Sequence, residues 1–283
     1  MKPISAMTAE EASGVRYVLM DIDDTLTRRG KLLASSYLAL WKLKEAGLKV
    51  IPVTGRPAGW CDLIAREWPV DGVVGENGAL AFWEEQDSDA SSNRLPALKA
   101  EYHPNAVKND HPVLLKVKER AFAEFPELRL AKDQFARLFD IALDFAEEEP
   151  VLPLSTAERV RSIAEEEGAR AKVSSIHINV WMGNYDKLSM AERFLARRFG
   201  WEAVAGDREV VFVGDSPNDA PMFARFPLAS AVANVSRYGS LVAPLPAYVA
   251  SMECGDGFAE IAEVILREQG SKGIRENRDD TGN

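Results

Sequence analysis

Aspartates follow two apolar runs of the sequence, at the points where buried strands would end. Asp21 and Asp23 come directly after Val15–Met20, and Asp215 comes soon after Glu209–Val213. Near-continuous apolar runs are typical of strands that are buried on both faces of a parallel sheet. Ligands of open α/β sheets bind beyond the carboxyl ends of such strands, so these carboxylates are expected to meet in one crevice.

Carboxylates that lie this close repel one another unless a cation sits between them, and Mg²⁺ prefers oxygen ligands. Asp21, Asp23 and Asp215 are therefore the predicted metal ligands, and Mg²⁺ is the predicted cofactor. A metal ion at this place would neutralise the charge of a bound phosphate. One aspartate could then attack phosphorus, while another protonates the leaving oxygen and later activates a water molecule.

Hydrogen-bond donors for a phosphate are predicted at two further positions. Thr54, Gly55 and Arg56 follow another apolar run, Leu48–Val53, and there the threonine hydroxyl and the next two backbone N–H groups can donate. Lys187 begins the predicted helix Lys187–Phe199, where the helix dipole disfavours a cation, so its ammonium is expected to reach an anion in the crevice. Taken alone, the segment at Thr54 is more typical of a turn and Lys187 of a solvated surface, and the aspartate pair is also common in turns and caps. Their combination at the predicted crevice indicates a site.

Strands and helices alternate in both outer parts of the chain, and this alternation resumes near Gly183. It predicts an α/β fold with a doubly wound, mostly parallel sheet, a Rossmann-like core. The middle of the chain differs, because helical spacing in Pro112–Phe125 and Ser155–Glu167 accompanies half-buried strand patterns in Leu138–Phe145 and Ile176–Trp181. This middle part is predicted to be a smaller α+β domain.

The predicted core is thus discontinuous and comprises residues 1–83 and 183–269. Residues 84–182 are predicted to form an inserted α+β cap domain, entered through the polar linker Glu84–Asn93. Gly257–Arg267 is predicted to be the closing helix of the core. Residues 270–283 are polar and are predicted to be a frayed, disordered tail.

The composition narrows the classes of partner. The 283 residues carry a formal net charge of −10, which disfavours nucleic acid and anionic membranes as partners. No run of residues has the length and apolarity of a signal peptide core or a membrane span. The two cysteines are far apart and form neither a CxxC pair nor a disulfide framework, which favours the cytoplasm. The pattern leaves the oligomeric state open.

Taken together, the polar segments resemble the four motifs of the haloacid dehalogenase superfamily. These segments are Asp21-Ile22-Asp23-Asp24-Thr25, Thr54-Gly55-Arg56, Lys187 and Gly214-Asp215-Ser216-Pro217-Asn218-Asp219. The segment Gly75-Glu76-Asn77-Gly78-Ala79 and the large insertion resemble the Cof-like branch, which includes sugar phosphatases, sucrose-phosphate phosphatase, mannosyl-3-phosphoglycerate phosphatase and phosphomannomutases. The resemblance covers residues 15–82 and 183–267, and in the insertion it extends only to position and size.

The resemblance implies roles for the aspartates at the strand ends. Asp21 would be the nucleophile and a metal ligand, and Asp23 the general acid and base, with its backbone carbonyl on Mg²⁺. Asp215 would be the acidic metal ligand. Asp24 stands where many relatives have glycine, and this departure leaves the role of Asp23 intact.

The resemblance also implies roles in phosphate binding. Thr54 and Lys187 would hold the transferring phosphoryl group, with Lys187 paired to the nucleophile. Asn218 and Asp219 would support the phosphate and the waters of the metal ion. Asp23 favours phosphoryl transfer over dehalogenation, since an alkoxide leaving group needs a proton and a halide does not.

The expected substrate is a small phosphate ester, either a sugar phosphate or a phosphoglycerate conjugate. Two alternatives remain open: a phosphomutase, and a binding or regulatory module without turnover. In the predicted cap, Asp144, His177, Asn179 and Trp181 are either specificity contacts or ordinary residues of a half-exposed sheet.

Overall fold

The computed structural model describes residues 1–85, 95–174 and 176–279. In chain order the strands are β1 (Lys2–Pro3), β2 (Tyr17–Met20), β3 (Thr27–Arg28), β4 (Lys31–Leu32), β5 (Lys49–Pro52), β6 (Val73–Gly75), β7 (Leu80–Glu85), β8 (Ala97–Tyr102), β9 (Arg129–Leu130), β10 (Asp140–Asp144), β11 (Arg170–Val173), β12 (His177–Trp181), β13 (Val210–Gly214), β14 (Ser230–Ala231) and β15 (Tyr248–Val249). The helices are α1 (Ala9–Gly14), α2 (Ala34–Glu45), α3 (Ala58–Glu67), α4 (Pro112–Glu124), α5 (Leu154–Glu166), α6 (Lys187–Phe199), α7 (Ala220–Arg225) and α8 (Cys254–Asp279).

A parallel sheet with the order β1-β15-β14-β13-β2-β5 forms the centre of the molecule. Its register aligns the ends of the three strands that precede the predicted motifs. Met20 lies opposite both Val213 and Pro52, and the Asp21 N–H donates to the Val213 carbonyl at 2.9 Å. Residues that follow β2, β5 and β13 therefore emerge at one edge of the sheet, as the sequence predicts.

Helices cover both faces of this sheet, because both faces of its central strands are apolar. Val18 and Met20 of β2 belong to the hydrophobic cluster that contains α1, α2, α3 and α8. Tyr17 and Leu19 point into the cluster that contains α6 and α7. The doubly wound α/β fold predicted from the sequence is thus confirmed.

A second unit is built on the antiparallel sheet β11-β12-β10-β9, and we call residues 112–181 the antiparallel unit. Side chains on one face of its sheet, including Ile141, Leu143, Ile178 and Val180, pack with residues of α4 and α5 in a hydrophobic cluster of their own. The opposite face of the sheet is polar. Alternation of apolar and polar residues thus determines which side of the sheet receives the helices.

The strands β7 and β8 form a hairpin with β6 that the sequence analysis did not predict. The predicted linker Glu84–Asn93 begins inside β7, and residues 86–94 lie outside the described part. The domain limits at 84 and 182 accordingly stay predictions. The final helix continues to Asp279, beyond the expected closing helix Gly257–Arg267, and the frayed tail also stays a prediction.

Glu76 connects the parallel core to the antiparallel unit. Its buried carboxylate accepts backbone N–H bonds from Ala58 at 2.9 Å, from Leu138 at 2.8 Å and from Phe139 at 2.7 Å. Glu76 has a φ of 44°, a left-handed value that is uncommon outside glycine and asparagine. Beside it, the Arg137 guanidinium donates to the Gly55 carbonyl at 3.2 Å.

We expect Glu76→Ala to weaken this junction, because three backbone N–H groups would lose their acceptor. The free energy of unfolding should fall by about 3 kcal/mol, measured by urea denaturation. Glu45→Ala, an exposed change at the end of α2, is the matched control. Equal stability of the two variants would contradict the bridging role of Glu76.

Candidate active site

An ion pair between Lys187 and Asp21 lies at the carboxyl edge of the parallel sheet. The Lys187 Nζ is 2.6 Å from Asp21 Oδ1 and 3.4 Å from Asp219 Oδ1. Both Lys187 and Asp21 are buried. Burial opposes the charge of the Lys187 ammonium, but Asp21 and Asp219 outweigh burial and raise its pKa. The lysine that the helix dipole disfavours is therefore held as a cation by these two carboxylates.

A glycine places the start of α6 beside the core loop that carries Glu76. Gly78 has a φ of +103°, and a Cβ there would lie 2.0 Å from the Asp186 carbonyl oxygen. Asp186 caps the helix, with its side chain accepting the Ser189 N–H at 2.8 Å. The cap and this close approach together direct Lys187 towards Asp21.

The loop after β13 is folded around the carboxylate of Asp219. Its Oδ2 accepts the N–H groups of Asp215 at 3.1 Å and Ser216 at 3.3 Å. A Cβ on Gly214 would lie 2.5 Å from this oxygen, so the loop needs glycine there. Asp219 thereby turns its other oxygen towards Lys187.

Two residues outside the predicted set hold Asp215. Its Oδ1 accepts a hydrogen bond from the Thr25 hydroxyl at 3.2 Å, and its Oδ2 accepts one from Asn234 Nδ2 at 3.1 Å. Asn234 also donates to the Asp24 carbonyl at 3.0 Å. Thr25 lies inside the first motif and could have been noticed there; nothing in the sequence around Asn234 indicates this contact.

Ligand oxygens of Asp21, Asp215 and Asp219 all lie within 4.8 Å of one another. Burial is the main cause that raises the pKa of Asp21, to about 7, and of Asp215, to about 9, and carboxylate neighbours add to it. A divalent cation would relieve this repulsion, and carboxylate oxygens are hard ligands that suit it. This acidic triad can therefore hold a divalent metal ion.

Asp23 and Arg56 form a two-point ion pair at the outer edge of the site. The Arg56 Nε is 3.0 Å from Asp23 Oδ2, and its Nη2 is 2.6 Å from Oδ1. The guanidinium also stacks on the Trp60 ring, 4.3 Å from its centroid. The carboxylate of Asp23 is thus turned to Arg56 rather than to the acidic triad. Its backbone carbonyl remains the predicted metal ligand.

Thr54, Gly55 and Arg56 lie at the predicted edge of the sheet, but one expected donor is already engaged. The Arg56 N–H donates to the Thr54 hydroxyl oxygen at 3.1 Å. The expectation that this N–H is available to a phosphate is not met in this structure. Thr54 keeps its own hydroxyl proton as a donor.

Asn218 contacts the antiparallel unit through its backbone. Its carbonyl accepts a hydrogen bond from Lys172 Nζ at 2.6 Å. Lys172 belongs to β11, a strand that the sequence analysis did not predict. The unit therefore contributes a charged side chain to the loop that carries Asp215 and Asp219.

The residues considered for the predicted cap lie on the polar face of the antiparallel sheet, and three have partners within the unit. Asp144 pairs with Arg129 at 3.4 Å, His177 lies 2.8 Å from Glu147, and Asn179 donates to Asp140 at 2.9 Å. Trp181 is buried, with its ring centroid 5.9 Å from that of Tyr185. Their part in specificity stays a prediction.

The chain belongs to the haloacid dehalogenase-like hydrolases, since a sequence model of that family matches residues 18–259. The resemblance to this superfamily is confirmed. No curated protein matches the chain.

Solved structures share the fold. A Thermoplasma acidophilum protein has a TM-score of 0.66 at 20% identity, covering 89% of this chain and 98% of that one. A haloacid dehalogenase/COF-like hydrolase from Plasmodium vivax has a TM-score of 0.65 at 16% identity, covering 92% and 98%. A sugar phosphatase of haloacid dehalogenase subclass IIB has a TM-score of 0.58 at 16% identity, covering 88% and 98%. In the described part of this chain, no helix has the length and apolarity to cross a bilayer.

The acidic triad makes metal binding measurable without any substrate. We expect Mg²⁺ to raise the melting temperature, since an ion at ~100 times its Kd adds about 2.7 kcal/mol to stability. Asp215→Asn should abolish most of this shift because it removes one carboxylate of the triad. Asp62→Asn, at an exposed pair on α3, is the control. The same Mg²⁺-induced shift in both variants would place the metal elsewhere.

Proposed function

We propose that the chain is a Mg²⁺-dependent phosphatase that hydrolyses a small phosphorylated metabolite through an aspartyl-phosphate on Asp21. The observation that carries the proposal is the Lys187 ammonium held 2.6 Å from Asp21 among buried carboxylates. A buried carboxylate beside a fixed cation is suited to attack on phosphorus, since the cation can also bind the phosphoryl oxygens.

In the first step, an Asp21 carboxylate oxygen attacks phosphorus and the bond from phosphorus to the ester oxygen breaks. Asp23 donates its proton to that oxygen, so the leaving group departs as an alcohol. Both oxygens of Asp23 are engaged by Arg56 in this structure, so at least one of these hydrogen bonds has to open and the carboxylate has to take up a proton beforehand. In steady turnover this proton is the one that Asp23 accepts from water in the preceding cycle. Arg56 is therefore proposed to hold the Asp23 side chain in position between turnovers.

In the second step, a water molecule attacks phosphorus of the aspartyl-phosphate. Asp23, now a carboxylate, accepts the proton of the water, and the bond from phosphorus to Asp21 breaks. Inorganic phosphate leaves and the free Asp21 carboxylate returns to its pair with Lys187. The two steps together consume one water and restore both aspartates.

Binding of the phosphoryl group is proposed to rest on Thr54, Lys187 and Asn218, with Asp219 holding the loop. Asp21, Asp215 and the backbone carbonyl of Asp23 are the proposed ligands of Mg²⁺. When bound there, the ion would neutralise phosphate charge. Gly55 contributes a backbone N–H to the same edge in this proposal.

The antiparallel unit is proposed to act as the cap of the site, within an inserted domain of residues 84–182. Its contact with the loop after β13 supports this role. A seated cap excludes water that would compete with the leaving group. We also propose a cytoplasmic location, which suits the two buried, unpaired cysteines Cys61 and Cys254.

The decisive experiment measures phosphate release from p-nitrophenyl phosphate and a panel of sugar phosphates and phosphoglycerate conjugates. We expect activity that requires Mg²⁺ and is lost in EDTA. Asp21→Asn should lower kcat by about 1,000-fold or more, since it removes the nucleophile. The Asp62→Asn variant should retain the wild-type rate.

Three outcomes would count against the proposal in different ways. Equal activity of wild type and Asp21→Asn would place the catalytic site elsewhere. Inactivity of the wild type on every ester, with Mg²⁺ bound, would favour a binding module. Interconversion of sugar phosphate isomers without release of phosphate would identify a phosphomutase.

The role of Asp23 as general acid can be tested separately by comparing esters whose leaving groups differ in their need for a proton. p-Nitrophenolate leaves without a proton, so Asp23→Asn should still release one equivalent of it in a burst. Hydrolysis of the aspartyl-phosphate should then be slow, because the base is missing. With sugar phosphates the same variant should lose roughly 100-fold or more in kcat and show no burst. A burst of equal size with both esters would exclude Asp23 as the acid.

A further inference from the structure

Lys172 crosses from the antiparallel unit to the site of the parallel core. It lies on β11 opposite Asn179, on the polar face of the sheet. Its Nζ donates to the Asn218 carbonyl at 2.6 Å. The side chain is only partly exposed. A residue outside every predicted motif thus ends beside the loop that carries Asp215 and Asp219.

Carboxylates of the site favour the charge of Lys172, but none of them in the described part of the chain forms a salt bridge with it. Arg129 pairs with Asp144 and Arg137 pairs with Asp140 on this polar face. Arg170 of β11 instead donates to Asn184 Oδ1 and to the Tyr185 carbonyl. Lys172 has no ion-pair partner among the described residues. Burial, and next the Lys187 ammonium, lower its pKa to about 8, while Asp219, Asp21 and Asp186 act in the opposite direction. Two ammonium groups therefore share one crevice with these carboxylates, and an anion bound between the two ammonium groups would stabilise the charge of both.

The hydrogen bond to the Asn218 carbonyl does not by itself explain why a charged lysine stands at position 172. A carbonyl acceptor occupies one of the three N–H donors of the ammonium. A neutral donor would hold the two units together with a smaller desolvation cost than a charge incurs. The remaining N–H donors, and the lack of a salt-bridge partner among the described residues, point to an anionic ligand.

We propose that Lys172 is a phosphate-binding residue contributed by the antiparallel unit, donating to a non-bridging oxygen of the substrate's phosphate. This inference rests on the proposed function and adds a residue to the same site. With Lys172 as a ligand, the phosphate site has all of its donors only while the antiparallel unit contacts the core. Substrate binding and seating of the unit are then coupled, because the phosphate stabilises the contact that closes over it.

The test measures affinity for inorganic phosphate by calorimetry in the presence of Mg²⁺, on the full chain. We expect Lys172→Met to weaken phosphate binding about 10-fold or more, the effect of losing one charge-assisted hydrogen bond. Lys172→Arg should recover most of the affinity. Lys116→Met removes an exposed lysine of the same unit, paired with Glu167 on the helical side, and should bind like the wild type.

Kinetics separate phosphate recognition from recognition of the leaving group. Lys172→Met should lower kcat/KM by a similar factor for p-nitrophenyl phosphate and for the best sugar phosphate, since the phosphate is their common part. Unchanged phosphate affinity in this variant would overturn the inference, including the case in which only its thermal stability falls. A loss confined to one leaving group would also overturn it.

These readouts distinguish the two proposals. If the wild type binds phosphate but hydrolyses no ester, the phosphatase proposal fails while the phosphate affinity of the variants still decides the role of Lys172. If the wild type hydrolyses esters and Lys172→Met binds phosphate normally, only the role of Lys172 is lost.

Discussion

Repulsion among buried carboxylates is the constraint on which the rest of the site depends. Asp21, Asp215 and Asp219 are brought within 4.8 Å by the register of the parallel sheet, and one cation, Lys187, contacts two of them. Such an arrangement is costly unless further positive charge is supplied. The surrounding hydrogen bonds from Thr25 and from backbone N–H groups hold the carboxylates in place in spite of that cost. The cost in stability accompanies a cluster of carboxylates that can hold a divalent cation.

Strands of the core could be predicted because they are buried on both faces. The apolar runs gave the positions of β2, β5 and β13 to within two residues, and the predicted helix Lys187–Phe199 has the bounds observed for α6. The positions of the motifs then predict that Asp21, Asp215 and Lys187 lie at one edge of the sheet. These features are local in sequence, so the hydrophobic periodicity of a segment or a short motif is enough to detect them.

Contacts between distant segments could not be predicted in the same way. The strands β8 and β11 carry lysines, arginines and glutamates, so their strand character comes from their pairing partners rather than from their own composition. Asn234 and Lys172 act through bonds to segments far away in the chain. The two-point ion pair between Arg56 and Asp23 could not be predicted, because the spacing of residues in the sequence does not reveal which side chains will pair.

The order of strands in the central sheet has a consequence for biosynthesis. β2 lies between β5 and β13, and β13 follows β2 in the chain only after the whole antiparallel unit. While the intervening residues are being synthesised on the ribosome, the apolar strand β2 can pair with β5 but has no partner on its other edge. Unpaired apolar edges recruit other strands and promote aggregation. The antiparallel unit has its own hydrophobic cluster and can collapse early, but Asp21 can pair with Lys187 only after that unit has been made.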